Sequence, residues 1–210
     1  MEKSNKIKKL YFASSNKAKL KRLQTILAEV DKNIKIELVP DYIDVEEKGK
    51  DVLENAVMKV LPYKSKYKIP VLGMDTAVFF EGEDFDPTHI KRVALKGMDE
   101  SKLSQKEIAE KIKDFYVKLA KKYGGEKEFY FEDGWAILFP DGSIEKISYK
   151  REYIMTDKIR GQLDIFFPMR SLYIVKATKK SPTEQTLEEE LLELKPQIEA
   201  FKKLLKFIYN

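Results

Sequence analysis

The first third of the chain alternates short apolar runs with amphipathic segments. The run from Ile7 to Ala13 predicts a strand, and Lys17 to Ala28 predicts a helix with one apolar face. A second strand is predicted at 34–39, a helix from Val52 to Tyr63, and a third strand after Pro70. This order of strands and helices favours an α/β core with some parallel pairing.

The middle of the chain changes to a helix followed by aromatic-rich strands. A short helix is predicted between Asp86 and Gly97, and a capping-box pattern at Ser104 predicts a longer helix that ends at Gly124. Aromatic and β-branched residues then predict an antiparallel meander over 127–155, with turns at Asp133-Gly134 and Asp141-Gly142.

The last fifty residues contain one more strand pattern and a long helical pattern. The run "DIFFPMRSLYIV", residues 164–175, predicts a strand. Two C-terminal helices are expected to separate at Pro196, because proline suits the first position of a helix better than its interior.

Composition narrows the class of protein. A chain of 210 residues with 43% hydrophobic residues can bury one sizeable core, so a single domain spanning 1–210 is expected. No apolar run is long enough to cross a membrane and no signal-peptide pattern is seen, which favours a cytoplasmic location. The net charge of +5 is spread along the chain, so nucleic acid is not expected as a partner.

The absence of cysteine limits the possible chemistry. With no cysteine and a single histidine, His89, the chain lacks the residues for disulfides, thiol nucleophiles and Cys/His zinc sites. Any metal is therefore expected to be a hard cation that carboxylates hold. The nucleotide-binding motifs G-x-x-x-x-G-K-[ST] and strand-linked G-x-G-x-x-G are also absent.

The stretch "YFASSNKAKLKRL" is the first candidate site. Ser14, Ser15 and Asn16 lie between the first strand and its helix, and Lys19 follows in the first turn. Backbone N–H groups at a helix start, together with hydroxyls and a lysine, form an anion site suited to phosphate. The alternative is that these residues only cap the helix and that the lysines face solvent.

Carboxylates form the second and third candidates. The loop "DYIDVEEKG" places Asp41, Asp44, Glu46 and Glu47 before the second helix, where they could hold Mg²⁺, interact with the helix dipole or only face water. Asp75, followed by Thr76, interrupts an otherwise apolar strand. A buried aspartate is costly unless it is paired, hydrogen-bonded or bound to a metal, so Asp75 has either a functional or a satisfied structural role.

In this order and spacing, the three stretches resemble the inosine triphosphate pyrophosphatase family. "FASSNKAKL" is similar to the phosphate loop of that family, and "EEKGKDVLENAVMKV" to its acidic loop and the helix that follows. "PVLGMDTAVFF" is similar to the family segment that carries the catalytic Asp. Lys91 falls on the next helix, which in the family approaches the nucleotide. The residues on family positions are Ser14, Asn16, Lys19, Glu47, Glu54, Asn55, Lys59, Asp75, Thr76 and Lys91.

The resemblance implies an elongated mixed β-sheet with flanking helices and two lobes with a cleft between them. It implies Mg²⁺-dependent hydrolysis of non-standard purine nucleoside triphosphates to monophosphate and pyrophosphate by a homodimer. Asp75 is then the catalytic residue, and the metal ligands are expected among Asp75, Glu47 and Asp41. The expected substrate-binding residues are Ser14, Ser15, Asn16, Lys19, Thr76, Lys91 and Arg170.

Three departures from the family pattern keep other functions open. Met74 stands where the family has a second acidic residue, and Arg170, in "FPMRSLY", where it has an Asp. The stretch "KPQIEAF" replaces a Ser-His-Arg triplet that reads the base. They leave open a nucleotide-binding protein without hydrolysis or with altered base specificity. The net charge of +5 and aromatics such as Tyr116 and Tyr123 leave open a nucleic-acid or protein interaction module of the same fold.

Overall fold

A computed structural model describes residues 8–83 and 93–209 of the chain, with side chains as far as residue 206. Its strands are β1 Lys9–Phe12, β2 Lys35–Leu38, β3 Val71–Phe80, β4 Glu126–Leu138, β5 Ile144–Thr156 and β6 Tyr173–Val175. Its α-helices over these residues are α1 Lys17–Val30, α2 Val52–Val60, α3 Gln105–Lys122 and α4 Leu187–Tyr209. Short 3₁₀ turns occur at Leu61–Tyr63, Glu100–Lys102 and Pro168–Ser171.

The strands form one mixed sheet in the order β2-β1-β3-β4-β5-β6. β1 pairs in parallel with β2, with Lys9 opposite Lys35, and with β3, with Tyr11 opposite Val71. β5 pairs antiparallel with β6. The predicted α/β fold, a mixed sheet with flanking helices and parallel pairing near the N-terminus, is therefore confirmed.

The chain divides into two compact units, and both are built from separate stretches of sequence. The first unit contains Met1–Thr76, Glu132–Lys150 and Leu194–Asn210, and the second contains Ala77–Phe131 and Arg151–Glu193. The core of the second unit is aromatic, with Phe80, Phe129, Tyr116, Tyr153 and Tyr173 all buried. The candidate site described below lies in the first unit.

The first unit buries a separate core on each face of its part of the sheet. On one face, Leu72 and Met74 of β3 pack with α1 and with the C-terminal half of α4. On the other face, Val71 packs with Ala56 and Val60 of α2. Because side chains alternate along a strand, neighbouring residues of β3 contribute to opposite faces.

Two glycines let α2 lie directly against the strand backbones. A Cβ added to Gly73 would lie 2.3 Å from the carbonyl oxygen of Ala56, and one added to Gly134 would lie 2.4 Å from that of Val52. Any side chain at either position would push the helix away from the sheet, since such distances are far shorter than van der Waals contact. Residues on the inner face of α2 can therefore reach polar groups on β3.

The turn predicted at Asp133-Gly134 is wrong. β4 runs without interruption from Glu126 to Leu138, and the hairpin turn lies at the second predicted position, Asp141-Gly142. The dipeptide has a different purpose here: Gly134 gives room to α2, and the Asp133 side chain is buried and hydrogen-bonded. A local turn signal was overridden by tertiary packing.

The predicted break at Pro196 is also wrong, because α4 continues through this residue. Its neighbours Leu194, Gln197 and Ile198 are all buried, and burial of this helix face compensates for the hydrogen bond that proline cannot make. The strand predicted over 164–175 is reduced to β6, because a 3₁₀ turn occupies Pro168–Ser171.

The helix predicted from Ser104 is confirmed with its capping box, in which the side chains and backbone N–H groups of Ser104 and Glu107 bond reciprocally. It ends before Gly124, which has a φ of 85°. The short helix predicted between Asp86 and Gly97 lies largely outside the described residues. No helix in the described ranges is long and apolar enough to cross a membrane.

Candidate active site

Asp75 is the centre of the candidate site. It lies on the α2 face of β3 and is only 5% exposed. Asn55 donates to its Oδ2 at 3.0 Å, and the Lys59 ammonium donates to its Oδ1 at 2.8 Å. Both donors come from α2, and they are one turn apart on the face that the two glycines bring against the sheet.

Lys59 joins this aspartate to the acidic loop. Besides Asp75, its Nζ lies 3.0 Å from Oε1 of Glu47 and 3.1 Å from the carbonyl oxygen of Met74. Asn55 also fixes the loop, because its Oδ1 accepts the Gly49 N–H at 2.7 Å. Two carboxylates from distant parts of the sequence therefore converge on one cation.

Burial and the polar partners of Asp75 have opposite effects on its pKa. Burial acts to raise the pKa of Asp75, but the charge and hydrogen bond of Lys59, then the hydrogen bond from Asn55, outweigh it and hold the pKa below its ordinary value. The folded state therefore favours the ionised carboxylate, which is what an electrostatic centre or a metal ligand requires.

The N-terminus of α1, which the sequence predicts as an anion site, is a capped helix start. Asn16 caps the helix, and its Oδ1 accepts the Lys19 N–H at 3.0 Å. The hydroxyl of Ser14 accepts the Asn16 N–H at 3.1 Å, and Ser15 is exposed. These bonds are ordinary capping contacts, so the backbone alone does not separate the two readings of this stretch.

The Lys19 side chain supports the anion-site interpretation. Its side chain is half-buried, and within the described ranges its ammonium makes no ion pair. Burial, followed by repulsion from Lys59, lowers the pKa of Lys19, while the charges of Asp75 and Asp133 act to raise it. A desolvated cation without a direct partner is costly, and a bound anion would supply that partner.

Asp133 is a site residue that sequence reasoning missed. It is completely buried, and the Thr76 hydroxyl donates to its Oδ1 at 2.7 Å. The signal against a turn was present in the sequence, since apolar residues continue without a break after Gly134. Asn55 and Lys59 were identified only through the family resemblance, and their contacts with Asp75 depend on the packing of α2.

The remaining predicted residues lie apart from this cluster or cannot be placed. Asp41 is exposed and pairs with Lys66 at 3.3 Å. Arg170 lies in the second unit, in the turn Pro168–Ser171, and Lys91 lies outside the described residues. Over the described ranges, no group of three or more acidic or histidine side chains is arranged to hold a metal ion.

Comparison with known proteins supports the family resemblance that was seen in the sequence. The model of the Ham1 family matches residues 10–161. A dITP/XTP pyrophosphatase of Wigglesworthia glossinidia brevipalpis is 26% identical over 208 residues, which are 97% of this chain and 98% of that protein. A dITP/XTP pyrophosphatase of Aquifex aeolicus is 36% identical over 73 residues, but that match spans only 35% of each chain.

Solved structures share the fold at low identity. A HAM1 protein from Coxiella burnetii superposes with a TM-score of 0.68 at 18% identity, covering 94% of this chain and 98% of that one. The Ham1 protein of Staphylococcus aureus gives 0.64 at 19% identity, covering 95% and 98%. The family model extends over more than half of the chain, so the predicted resemblance is confirmed, and the chain belongs to the Ham1 family.

Proposed function

We propose that this protein hydrolyses nucleoside triphosphates to nucleoside monophosphate and pyrophosphate. Membership of the Ham1 family and the dITP/XTP pyrophosphatase names of its relatives support the reaction class. The structural observation that carries the proposal is Lys19, a half-buried ammonium without an ion pair among the described residues, beside an ionised carboxylate centre. A bound triphosphate would pair with the Lys19 ammonium, while the Asp75 carboxylate would act at its reacting phosphorus.

The anion-binding half of the mechanism belongs to α1. The helix N-terminus and the ammonium of Lys19 would hold phosphate oxygens, with Ser14, Ser15 and Asn16 shaping the loop. These groups stabilise negative charge in a place where water is partly excluded, so the charge that develops as the phosphoanhydride bond breaks is neutralised without reorganisation.

The reacting half belongs to β3 and α2. Water adds through its oxygen to the α-phosphorus, the bond to the leaving pyrophosphate breaks, and a proton is released to solvent or product. Asp75, held ionised by Lys59 and Asn55, would orient that water by accepting its hydrogen bond. Its lowered pKa makes it a weak base, so we expect its role to be positioning and electrostatic.

Magnesium fits the donor set of this centre. The carboxylates of Glu47 and Asp75 already converge on the Lys59 ammonium, and Mg²⁺ in nucleotide enzymes commonly binds one or two carboxylates plus substrate phosphates and water. When bound, the ion would neutralise phosphate charge and polarise the reacting phosphoryl group. Asp41, exposed and paired with Lys66, is the weaker candidate for a ligand.

A panel of triphosphates tests the reaction. Pyrophosphate release is measured with Mg²⁺ from dITP, XTP, ITP and the standard nucleotides, with Asp75→Asn as the disabled control and Asp141→Asn, on the β-hairpin turn, as the matched control. Release from deaminated purines that Asp75→Asn loses would establish the family reaction. Release from other nucleotides would mean that base recognition has changed, as the missing Ser-His-Arg triplet suggests.

Nucleotide binding without hydrolysis is the second candidate, and Met74 favours it. This side chain is buried in the core beside α1, so it gives the site no ligand where the family has an acid. A triphosphate that binds in calorimetry but stays intact with Mg²⁺ would select this alternative.

The homodimer, the single domain and the cytoplasmic location remain predictions. Light scattering tests the homodimer, and a single unfolding transition tests the single domain.

A further inference from the structure

The buried pair of Asp133 and Thr76 is not used by the mechanism above. Thr76 Oγ1 lies 2.7 Å from Asp133 Oδ1, and a threonine hydroxyl has only one proton to donate. An ionised carboxylate can only accept, so this proton is committed to Asp133. Thr76 then offers lone pairs, and no proton, to any further partner.

Both residues lie on the α1 face of the sheet. On β3, Thr76 continues the alternation of Leu72 and Met74, which pack with α1, and on β4 Asp133 continues that of Trp135 and Ile137. The negative charge of Asp133 also acts on Lys19 of α1. Thr76 and Asp133 therefore face α1 and Asp75 faces α2, but the charges of Asp75 and Asp133 both act on the Lys19 ammonium, so both carboxylates border the phosphate-binding side.

The exposure of the two side chains differs in a way that assigns their roles. Asp133 has no exposed surface, so it cannot touch a substrate directly. Thr76 is partly exposed, and its hydroxyl is hydrogen-bonded to Asp133. Asp133 can therefore act on a bound molecule through the Thr76 hydroxyl as well as through its charge on Lys19.

Asp133 is a buried carboxylate at an inward position of β4 whose neighbours are apolar. The next inward positions on β4, Trp135 and Ile137, are apolar, and so is Met74 beside Thr76 on β3. Burying a carboxylate here is costly compared with an apolar residue of similar size, even with a hydrogen bond.

We propose that Asp133 is a positioning residue for the hydrolysis proposed above: it accepts the hydrogen bond that the Thr76 hydroxyl donates, so that Thr76 Oγ1 accepts a hydrogen bond from the attacking water instead of donating one to phosphate. This inference deepens the proposed function and rests on it. It predicts that the pair affects the rate of the chemical step more than the affinity for the triphosphate.

A double-mutant cycle tests the pair. Asp133→Asn, Thr76→Val and the double variant are compared with the wild-type protein in pyrophosphate release from dITP or XTP with Mg²⁺. We expect each single variant to lose about tenfold in kcat, the loss typical of a removed positioning contact, with KM changed by less than about threefold. The double variant should lose no more than the worse single variant, because the two residues act as one unit.

Two controls separate positioning from structure. Thr76→Ser keeps the hydroxyl and should restore most of the kcat that Thr76→Val loses, and Asp141→Asn makes the Asp-to-Asn change at an exposed turn. Wild-type kcat in Asp133→Asn, or losses that multiply in the double variant, would overturn the role of Asp133 while leaving the proposed function intact. A wild-type protein that releases no pyrophosphate from any triphosphate would overturn both.

Discussion

The two faces of β3 in the first unit hold opposite kinds of charge arrangement. On the α2 face, Asp75 has a full set of partners, with Lys59 at 2.8 Å and Asn55 at 3.0 Å. On the α1 face, Lys19 has no ion pair within the described ranges. The first arrangement is complete before any ligand arrives, and the second is completed by one. If the proposed function holds, the difference teaches that the reacting groups are fixed in advance, while the binding cation is left for the substrate to pair.

Removal of Lys59, the cation that Glu47 and Asp75 share on the α2 face, should have the largest effect on stability and activity. Lys59→Met leaves two carboxylates without their ammonium, of which Asp75 is almost fully buried. We expect the free energy of unfolding to fall by about 3 kcal/mol, as for other broken buried pairs. Urea unfolding at neutral pH measures this change, and pyrophosphate release should fall about a hundredfold with it.

The matched control for Lys59 is Lys48, which pairs with Glu46 at 2.8 Å while both side chains are more than half exposed. Lys48→Met should change the free energy of unfolding by less than about 1 kcal/mol, because exposed pairs contribute little. Equal losses of unfolding free energy in Lys59→Met and Lys48→Met would show that the Lys59 ion pairs stabilise the fold no more than an exposed pair does.

A methyl group at Gly134 tests whether the α2 face depends on the close approach of the helix. Gly134→Ala would place a Cβ 2.4 Å from the Val52 carbonyl oxygen, so α2 must shift. We expect a loss of about 2 kcal/mol in unfolding free energy, as for other overpacked positions, and a lower kcat with unchanged triphosphate affinity. Stability equal to wild type would mean that α2 is not pressed against β4.

The sequence predicted the elements around the site better than the contacts within it. The β1 strand, the Asn16 cap, α2 and β3 follow from local patterns, because apolar periodicity and capping residues act over a few positions. Asp133-Gly134 shows the limit: the same dipeptide is a hairpin signal locally and becomes a strand segment only because α2 packs on the glycine.

Long-range packing also explains the other differences. Asp75 and Lys59 are sixteen residues apart, and their bond exists only because Gly73 lets α2 approach β3. Pro196 remains inside α4 because the residues around it are buried. In both cases the decisive contact is with an element distant in sequence, which a local pattern cannot predict. The resemblance to a family therefore gave more information about the site than the local patterns did.

The α1 face should respond in the opposite way to loss of its cation. Lys19→Met removes a half-buried ammonium without an ion pair among the described residues, so stability should be unchanged or slightly higher. The KM for the triphosphate should rise about tenfold, equivalent to about 1.4 kcal/mol of binding. Lys17→Met, in the exposed first position of the same helix, is the control and should leave KM unchanged. A large loss of stability in Lys19→Met would contradict the comparison.

The pH dependence of binding gives a finer test of Lys19. Burial lowers the pKa of this ammonium, so it loses its proton at a lower pH than an ordinary lysine. The wild-type KM should therefore begin to rise on the alkaline side earlier than an ordinary lysine would allow, whereas Lys19→Arg should keep its charge there. Since the folded state binds this proton less tightly than the unfolded state, the contribution of Lys19 to stability should improve as pH rises.

The smallest effect is expected at Asp41, which the sequence places among the metal ligands. Its side chain is 70% exposed and its partner is Lys66, whereas Glu47 converges with Asp75 on Lys59. Asp41→Asn should leave the Mg²⁺ concentration for half-maximal activity within about twofold of wild type, while Glu47→Gln should raise it by about tenfold, as for other lost contacts around a metal. If Asp41→Asn raised it as much as Glu47→Gln, the acidic loop would have to rearrange when the ion binds, and the α2 face would not be complete in advance.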